Sequence, residues 1–174
     1  MKKIFTLLVA VGLVGSVVAS NRYVTPTGSG SGASWQSAMS NIQSAIASCQ
    51  AGDTVFVAAG TYYQHFSVSD GVSVLGGYDA ATGLRDIDAY QTILDATGLG
   101  TWIFVKYDSD CTQPTLIEGF TLQNAAHSND GGAGFVRANM IISRCTIRYC
   151  TGNNGGGLII SATNGEGVVR DCII

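Results

Sequence analysis

Charged side chains are scarce in this sequence of 174 residues, where they make up 12% of the composition. Lys and Arg number nine against twelve Asp and Glu, and two of the lysines lie within the first three residues. Without those two, seven basic side chains oppose twelve acidic ones, a net charge near −5. Because too few cations remain to form a basic face, binding to nucleic acid or another polyanion is disfavoured.

Motifs for metal or phosphate binding are also lacking. His65 and His127 are the two histidines of the sequence, and neither has a second His or a Cys at the spacing of a zinc site. The glycine-rich run 28–32 precedes a predicted helix, but no Lys follows it as in a phosphate-binding loop. A zinc site and a phosphate-binding loop are therefore not supported.

Glycine, by contrast, is abundant, with 23 residues, and 46% of the residues are hydrophobic. This composition favours a turn-rich β architecture over a helical bundle, and the length is that of one domain.

The second half of the chain repeats itself. Three six-residue segments that begin at Ile117, Ile142 and Val169 align without gaps, with starts 25 and 27 residues apart, and we predict each to be one short strand. Two glycine-led apolar segments, 131–136 and 155–160, lie between them. A period in the twenties without helical spacing indicates a solenoid, and the regular leucines of a leucine-rich repeat are missing.

The repeats predict an all-β fold, a right-handed parallel β-helix whose equivalent residues stack at ~4.8 Å. The expected columns are Phe120 with Cys145 and Cys172, and Leu122 with Ile147 and Ile174. Because the sequence stops inside a predicted strand without a polar cap, we expect a solenoid that is truncated at its C-terminal end.

Residues 1–19 form a predicted signal peptide. Lys2 and Lys3 are positive, Ile4–Val14 is apolar, and Val17–Ala19 offers a small-residue cleavage site. The apolar run is shorter than the ~20 residues that span a bilayer, which disfavours a membrane anchor. We therefore expect export to the cell surface, the outer membrane or the extracellular space.

Residues 20–52 are predicted to form a short strand, a loop and a capping helix. The strand covers Arg22–Thr25, and the helix starts near Gln36 and ends before Gly52. An open solenoid end exposes apolar surface and strand edges, so we expect this helix to be a lid, with Trp35 and Ile42 over the first coil. The alternative is a partner-binding helix.

Residues 53–174 are predicted to form the coils. Val55 to Ala59 is apolar at every position, as in a parallel strand covered on both faces. Further strands are expected at 72–75, 92–94 and 102–105, and the segment Tyr78 to Tyr90 is predicted to be a loop thrown out of a coil.

Several segments carry a resemblance to known proteins. Residues 23–28, 42–46 and 52–57 resemble the amino-terminal cap and first coil of secreted right-handed β-helix proteins of the pectate-lyase-like superfamily. Residues 71–78 and 92–95 are similar to the early coils of surface β-helices such as the polymorphic outer-membrane protein family. This resemblance implies the fold, whereas the superfamily's activities range from lyases and hydrolases to adhesins.

In β-helix polysaccharide lyases, the resemblance would imply Ca²⁺ held by clustered carboxylates and an Arg or Lys that abstracts a proton. The nearest candidates are Asp108 and Asp110, with Lys106 close by. Calcium requires roughly six to eight oxygen ligands, and this pair supplies only part of a shell. We favour the alternative, a solvated turn between the strands at Val105 and Thr115.

A second candidate lies on the outer face of the repeats. If Phe120 points inward, Arg144 and Asp171 point outward on adjacent rungs. They form either an ordinary cross-strand ion pair or a sugar-binding pair, and we favour the ion pair.

The five cysteines could form disulfides after export. They are Cys49, Cys111, Cys145, Cys150 and Cys172. Cys145 and Cys172 share a column, where a buried apolar stack is favoured over a bond. Because the total is odd, at least one thiol is free or pairs outside the chain.

Two functions remain open from the sequence. We expect an exported, non-catalytic β-helix that binds an extracellular polysaccharide or a cell-surface protein, as an adhesin does. The alternative is a polysaccharide lyase or glycoside hydrolase whose active site lies in coils beyond residue 174.

Overall fold

The computed structural model describes residues 20–106, 110–128 and 132–174. The predicted signal peptide, residue Asp108 and the first glycine of the segment 131–136 lie outside these ranges.

Parallel strands dominate the described ranges, accompanied by one α-helix, α1 (Ile42–Ala47), and one 3₁₀ turn (Trp35–Ser37). The strands are β1 (Arg22–Val24), β2 (Thr54–Ala58), β3 (Gly60–Tyr62), β4 (Phe66–Ser67), β5 (Ser73–Tyr78), β6 (Thr92–Asp95), β7 (Phe104–Val105), β8 (Thr115–Glu118), β9 (Phe120–Gln123), β10 (Ala126–His127), β11 (Gly134–Val136), β12 (Met140–Ser143), β13 (Thr146–Arg148), β14 (Thr151–Gly152), β15 (Leu158–Ile160) and β16 (Val168–Arg170).

The strands form three main parallel sheets. Sheet A has the order β1-β2-β5-β8-β12-β16, sheet B the order β3-β6-β9-β13, and sheet C the order β4-β7-β11-β15, while β10 and β14 form a fourth, small sheet. The chain passes from sheet A to B to C and then returns to A, beside its previous strand. This order is compatible with a β-helix solenoid. No helix in the described ranges is long and apolar enough to cross a membrane.

The predicted register is confirmed. Ile142 lies beside Ile117 on one side and beside Val169 on the other. The two glycine-led segments pair with each other, and Gly134 lies beside Leu158. The two spacings of the repeat are therefore the lengths of successive turns.

The prediction of one strand per six-residue segment was wrong, because each segment turns a corner from sheet A to sheet B. The corner residues are Gly119, Arg144 and Asp171, with φ of 80°, 46° and 54°. One residue in the left-handed region ends one strand and starts the next in a new direction. At Gly119 a Cβ would also lie 2.7 Å from the Ile87 side chain, so only glycine fits there.

The core fills the space between the sheets. Val55, Val74, Ile117 and Ile142 stack in register on sheet A, and all four are completely buried. A second column on sheet B joins Leu94, Leu122 and Ile147, and the Phe66 and Phe104 rings stack on sheet C with centroids 6.3 Å apart. Stacked β-branched and aromatic side chains of this kind are the main stabilising contacts of a sheet.

The helix is shorter than predicted, because Met39 is extended and pairs with β1. Its N–H donates to the Tyr23 carbonyl and its carbonyl accepts from the Thr25 N–H, both at 2.9 Å. The helix therefore begins after Asn41, whose Oδ1 accepts the Ser44 N–H at 2.7 Å as an N-cap.

Helix α1 buries Ile42, Ala45 and Ile46 and contacts β1, β2 and β4. Its Gln43 Oε1 accepts the backbone N–H of Ser67 on β4, the outermost strand of sheet C, at 2.6 Å. The helix thus covers apolar surface at this end and satisfies a strand-edge donor.

Trp35 does not lie over the first coil as predicted, because it packs on the outer face of sheet A. Its ring is 4.9 Å from Tyr23 and 5.6 Å from Tyr78, and Phe56 contacts both tyrosines at 5.4 and 5.1 Å. This ring cluster explains why Val55 to Ala59 is apolar on both faces.

The inward and outward positions of β9 give a direct test of the core. We expect Leu122→Ala to lower the free energy of unfolding by about 2–5 kcal/mol, because it leaves a cavity in a filled column. Thr121→Ala on the neighbouring outward position should change it by less than about 0.5 kcal/mol. Urea titrations of both variants measure the difference, and equal losses would contradict the assignment of faces.

Candidate functional site

The candidate calcium pair of Asp108 and Asp110 lies only partly within the described ranges. Asp108 lies outside them, and the Asp110 carboxylate accepts three backbone N–H groups, those of Ala138 at 3.1 Å, Thr163 at 2.9 Å and Asn164 at 2.8 Å. The Ala138 bond is the main cause of a lowered Asp110 pKa. No group of three potential ligands that could hold a metal ion occurs in the described residues.

Asp110 is one of four aspartates, with Asp53, Asp70 and Asp95, whose carboxylates accept hydrogen bonds from a neighbouring turn. We call these four residues the carboxylate latches. Asp53 accepts the N–H of Ser20 at 2.6 Å, and Asp70 accepts those of Thr112 and Gln113, both at 2.9 Å. Burial tends to raise the pKa of Asp70, but these bonds and the charge of Lys106 outweigh it and lower the pKa. The charge of Lys106 therefore favours the ionised form of the Asp70 carboxylate.

Asp95 is a further latch, at the end of β6. It accepts the N–H and hydroxyl of Thr97 at 2.9 and 2.6 Å and the amide groups of Gln123 and Asn124 at 2.7 and 3.1 Å. Burial works to raise the pKa of Asp95, but these donors outweigh it and lower the pKa to about 2.

Arg144 forms an ion pair, but with Glu118 instead of Asp171. The Glu118 carboxylate accepts from Arg144 at 2.9 Å and from Arg85 at 2.7 Å, while Arg85 Nε donates to the Gly76 carbonyl at 3.0 Å. Burial tends to raise the pKa of Glu118, but the two guanidinium groups outweigh it and lower the pKa. Asp171 is exposed at its corner.

Glu118 was missed by the sequence analysis, although it adjoins Gly119, the rung partner of Arg144. A small polar groove of about 100 Å³ beside Arg144 also contacts Asp88, Thr121 and Thr146. Its volume is well below the ~300–1,000 Å³ of typical ligand pockets. The cluster therefore serves mainly to hold the loop 79–91 on sheet A.

A larger groove lies at the corner where the first turn passes from sheet B to sheet C. Its volume is about 380 Å³, within the usual range for ligand sites. It is lined by Asn41, Gln43, Tyr63, Gln64, His65, Ser67 and Leu99. None of these is Asp, Glu, Lys or Arg.

Backbone donors fix the side-chain amides of this groove. The Asn41 oxygen caps α1 and the Gln43 oxygen accepts from Ser67, so both NH₂ groups remain as donors. Gln64 is held at both ends, by the Ile42 N–H at 2.9 Å and the Ser40 carbonyl at 2.7 Å. The groove is therefore preorganised before any ligand arrives.

In four successive turns, an aromatic side chain lies in the segment that leads from sheet B to sheet C. Tyr63 is 64% exposed and Tyr149 is 76% exposed. Between them, Trp102 and His127 stack with ring centroids 3.8 Å apart and an interplanar angle of 20°. We call these four residues the aromatic edge. Exposed rings on a rigid backbone offer large contact areas to a ligand at a low cost in entropy.

The comparisons with known proteins give no match: no family model, no curated protein and no solved structure is significantly similar to this chain. We therefore infer its function from its own residues.

The latches predict that stability depends on pH in the acid range. Their pKa values are lowered in the folded state, so their contribution is present above about pH 4 and is lost as the pH falls from about 4 to 2. We expect the free energy of unfolding to fall in this window, and Asp95→Asn to make the fall shallower. Urea titrations at each pH measure this.

Asp171→Asn is the matched control, because it removes an exposed carboxylate outside the latches. If both variants changed the pH dependence equally, the assignment of Asp95 as a latch would be contradicted.

The ion cluster predicts that Glu118→Gln is destabilising by about 1–3 kcal/mol, because two guanidinium groups would lose their shared carboxylate. Asp88→Asn, which removes a nearby exposed carboxylate, is expected to have a much smaller effect. Thermal unfolding followed by circular dichroism compares them. Equal stability of Glu118→Gln and the parent protein would contradict this role.

Proposed function

We propose that this chain is an exported, right-handed parallel β-helix protein that binds glycans, without catalysis, through the groove beside α1 and the aromatic edge. The order of the parallel strands supports the solenoid. Export and a relationship to the pectate-lyase-like superfamily remain predictions from the sequence. The partner would be an extracellular or cell-surface polysaccharide.

The groove carries this proposal, because it combines an exposed ring with fixed amide donors. A sugar has an apolar C–H face that stacks on a ring and hydroxyl groups that accept from amide N–H groups. Tyr63 supplies the ring, and the NH₂ groups of Asn41 and Gln43 supply the donors. These three groups lie on rigid elements or beside them, as a binding site requires.

The lack of Asp, Glu, Lys and Arg side chains in the groove favours a neutral glycan. No carboxylate or cationic side chain of the Asp, Glu, Lys or Arg type lines it. Paired carboxylates, which glycoside hydrolysis requires, are missing from this groove, so it is suited to binding and not to cleavage.

The aromatic edge extends the groove into a longer binding face. Successive turns of parallel strands are ~4.8 Å apart, so the segments that carry these rings follow one another along the axis. A polysaccharide lying along these segments could contact Tyr63 first and the stacked pair of Trp102 and His127 further along. Repeated weak contacts of this kind add up through avidity.

Affinity electrophoresis in gels that contain soluble polysaccharides tests this function. We expect neutral polysaccharides to retard the parent protein more strongly than acidic ones. Tyr63→Ala should weaken the binding about tenfold, a loss of about 1.4 kcal/mol, whereas Tyr63→Phe should retain most of it because the ring is kept.

Leu84→Ala is the matched control, because it removes an exposed apolar side chain from the loop 79–91, outside the groove. The proposal would be wrong if no polysaccharide retarded the protein, or if Tyr63→Ala and Leu84→Ala bound equally well.

A further inference from the structure

Two cysteines lie side by side on adjacent turns. Cys145 follows the corner after β12, and Cys172 follows the corner after β16. Ser143 pairs with Arg170 before these corners and Thr146 with Ile173 after them, so the register places Cys172 directly beside Cys145. The Ile173 N–H donates to the Cys145 carbonyl at 3.0 Å, which holds the two backbones together at this point.

The register brings the two backbones within the range of a disulfide. Neighbouring strands of a sheet are ~4.8 Å apart, and disulfides join Cα atoms separated by about 4.4–6.8 Å. Both thiols are free in the structure. The Cys172 Sγ also reaches the Ile142 carbonyl of the neighbouring turn, at 3.8 Å.

The two thiols differ in their access to solvent. Cys145 is 1% exposed and belongs to the core, whereas Cys172 is half-buried. Their pKa values differ in the same sense: the interaction between the two thiols lowers the pKa of Cys172, whereas the same interaction and burial raise the pKa of Cys145. An accessible thiolate beside a protected thiol is the arrangement of a nucleophile and a resolving thiol.

We propose that Cys172 and Cys145 form a redox-active dithiol that exchanges with small disulfides, with Cys172 as the attacking thiol and Cys145 as the resolving thiol. The proposal is independent of glycan binding, because neither cysteine lines the groove.

The exchange proceeds in two balanced steps. The Cys172 thiolate attacks one sulfur of a small disulfide such as oxidised glutathione, which forms a mixed disulfide and releases one glutathione thiolate. Cys145 then attacks the Cys172 sulfur and closes the intramolecular disulfide. The second glutathione leaves as a thiolate and takes up the proton of Cys145. The two protein thiols are oxidised, and one small disulfide is reduced to two thiols.

The remaining cysteines have different surroundings. Cys111 is buried, Cys49 contacts the Ser20 carbonyl at 3.9 Å, and Cys150 contacts the Leu122 carbonyl at 3.8 Å. Cys111 therefore provides a control position, because it is a buried thiol in a different part of the core.

The test incubates the folded protein with oxidised glutathione, quenches it in acid, unfolds it, and then counts thiols and maps bonds by mass spectrometry. We expect the parent protein to lose two of its five thiols and to yield one peptide that links Cys145 to Cys172. Dithiothreitol should restore both thiols. Cys111→Ser should form the same link.

The two single variants separate the roles. Cys145→Ser should stop at the mixed disulfide and retain one glutathione on Cys172, because the resolving thiol is missing. Cys172→Ser should form neither the link nor the adduct at Cys145. The proposal would be overturned if the parent kept all five thiols, or if it accumulated glutathione on Cys172 without the link.

Discussion

In-register pairing of parallel strands is the constraint on which this structure depends. Each turn must place its apolar residues directly beside those of the previous turn, because a slip of one residue would send every side chain to the opposite face. The column from Val55 to Ile142 meets this requirement over four strands. Turns of different length are tolerated because the extra residues leave the coil as loops, such as 79–91, which the Glu118 cluster ties back to sheet A.

The register could be predicted from the sequence, whereas the corners could not. Repeated segments must stack, so their spacing gave the pairing of Ile117 with Ile142. The change of direction depends on one left-handed residue, and Arg144 and Asp171 occupy positions where glycine is usual. The length of the helix was overestimated for a related reason. The apolar spacing of the helix continues through Met39, but that residue is extended because it pairs with β1.

The candidate sites were harder to predict because their partners are distant in the sequence. Asp110 was a candidate calcium ligand beside Asp108, and nothing in the sequence indicated its hydrogen-bond donors, which come from residues 28, 53 and 54 positions away. The groove likewise combines Asn41, Tyr63 and Leu99 from three separate segments. Only the stacking of Cys145 with Cys172 followed directly from the repeat, since both residues occupy the same position within it.

Backbone contacts between turns test this account most directly. Nuclear Overhauser measurements on isotope-labelled protein can detect contacts among the strands 115–118, 140–143 and 168–170. We expect sequential parallel contacts, with Ile142 close to both Ile117 and Val169. Antiparallel contacts among these segments, or contacts shifted by one residue, would contradict it.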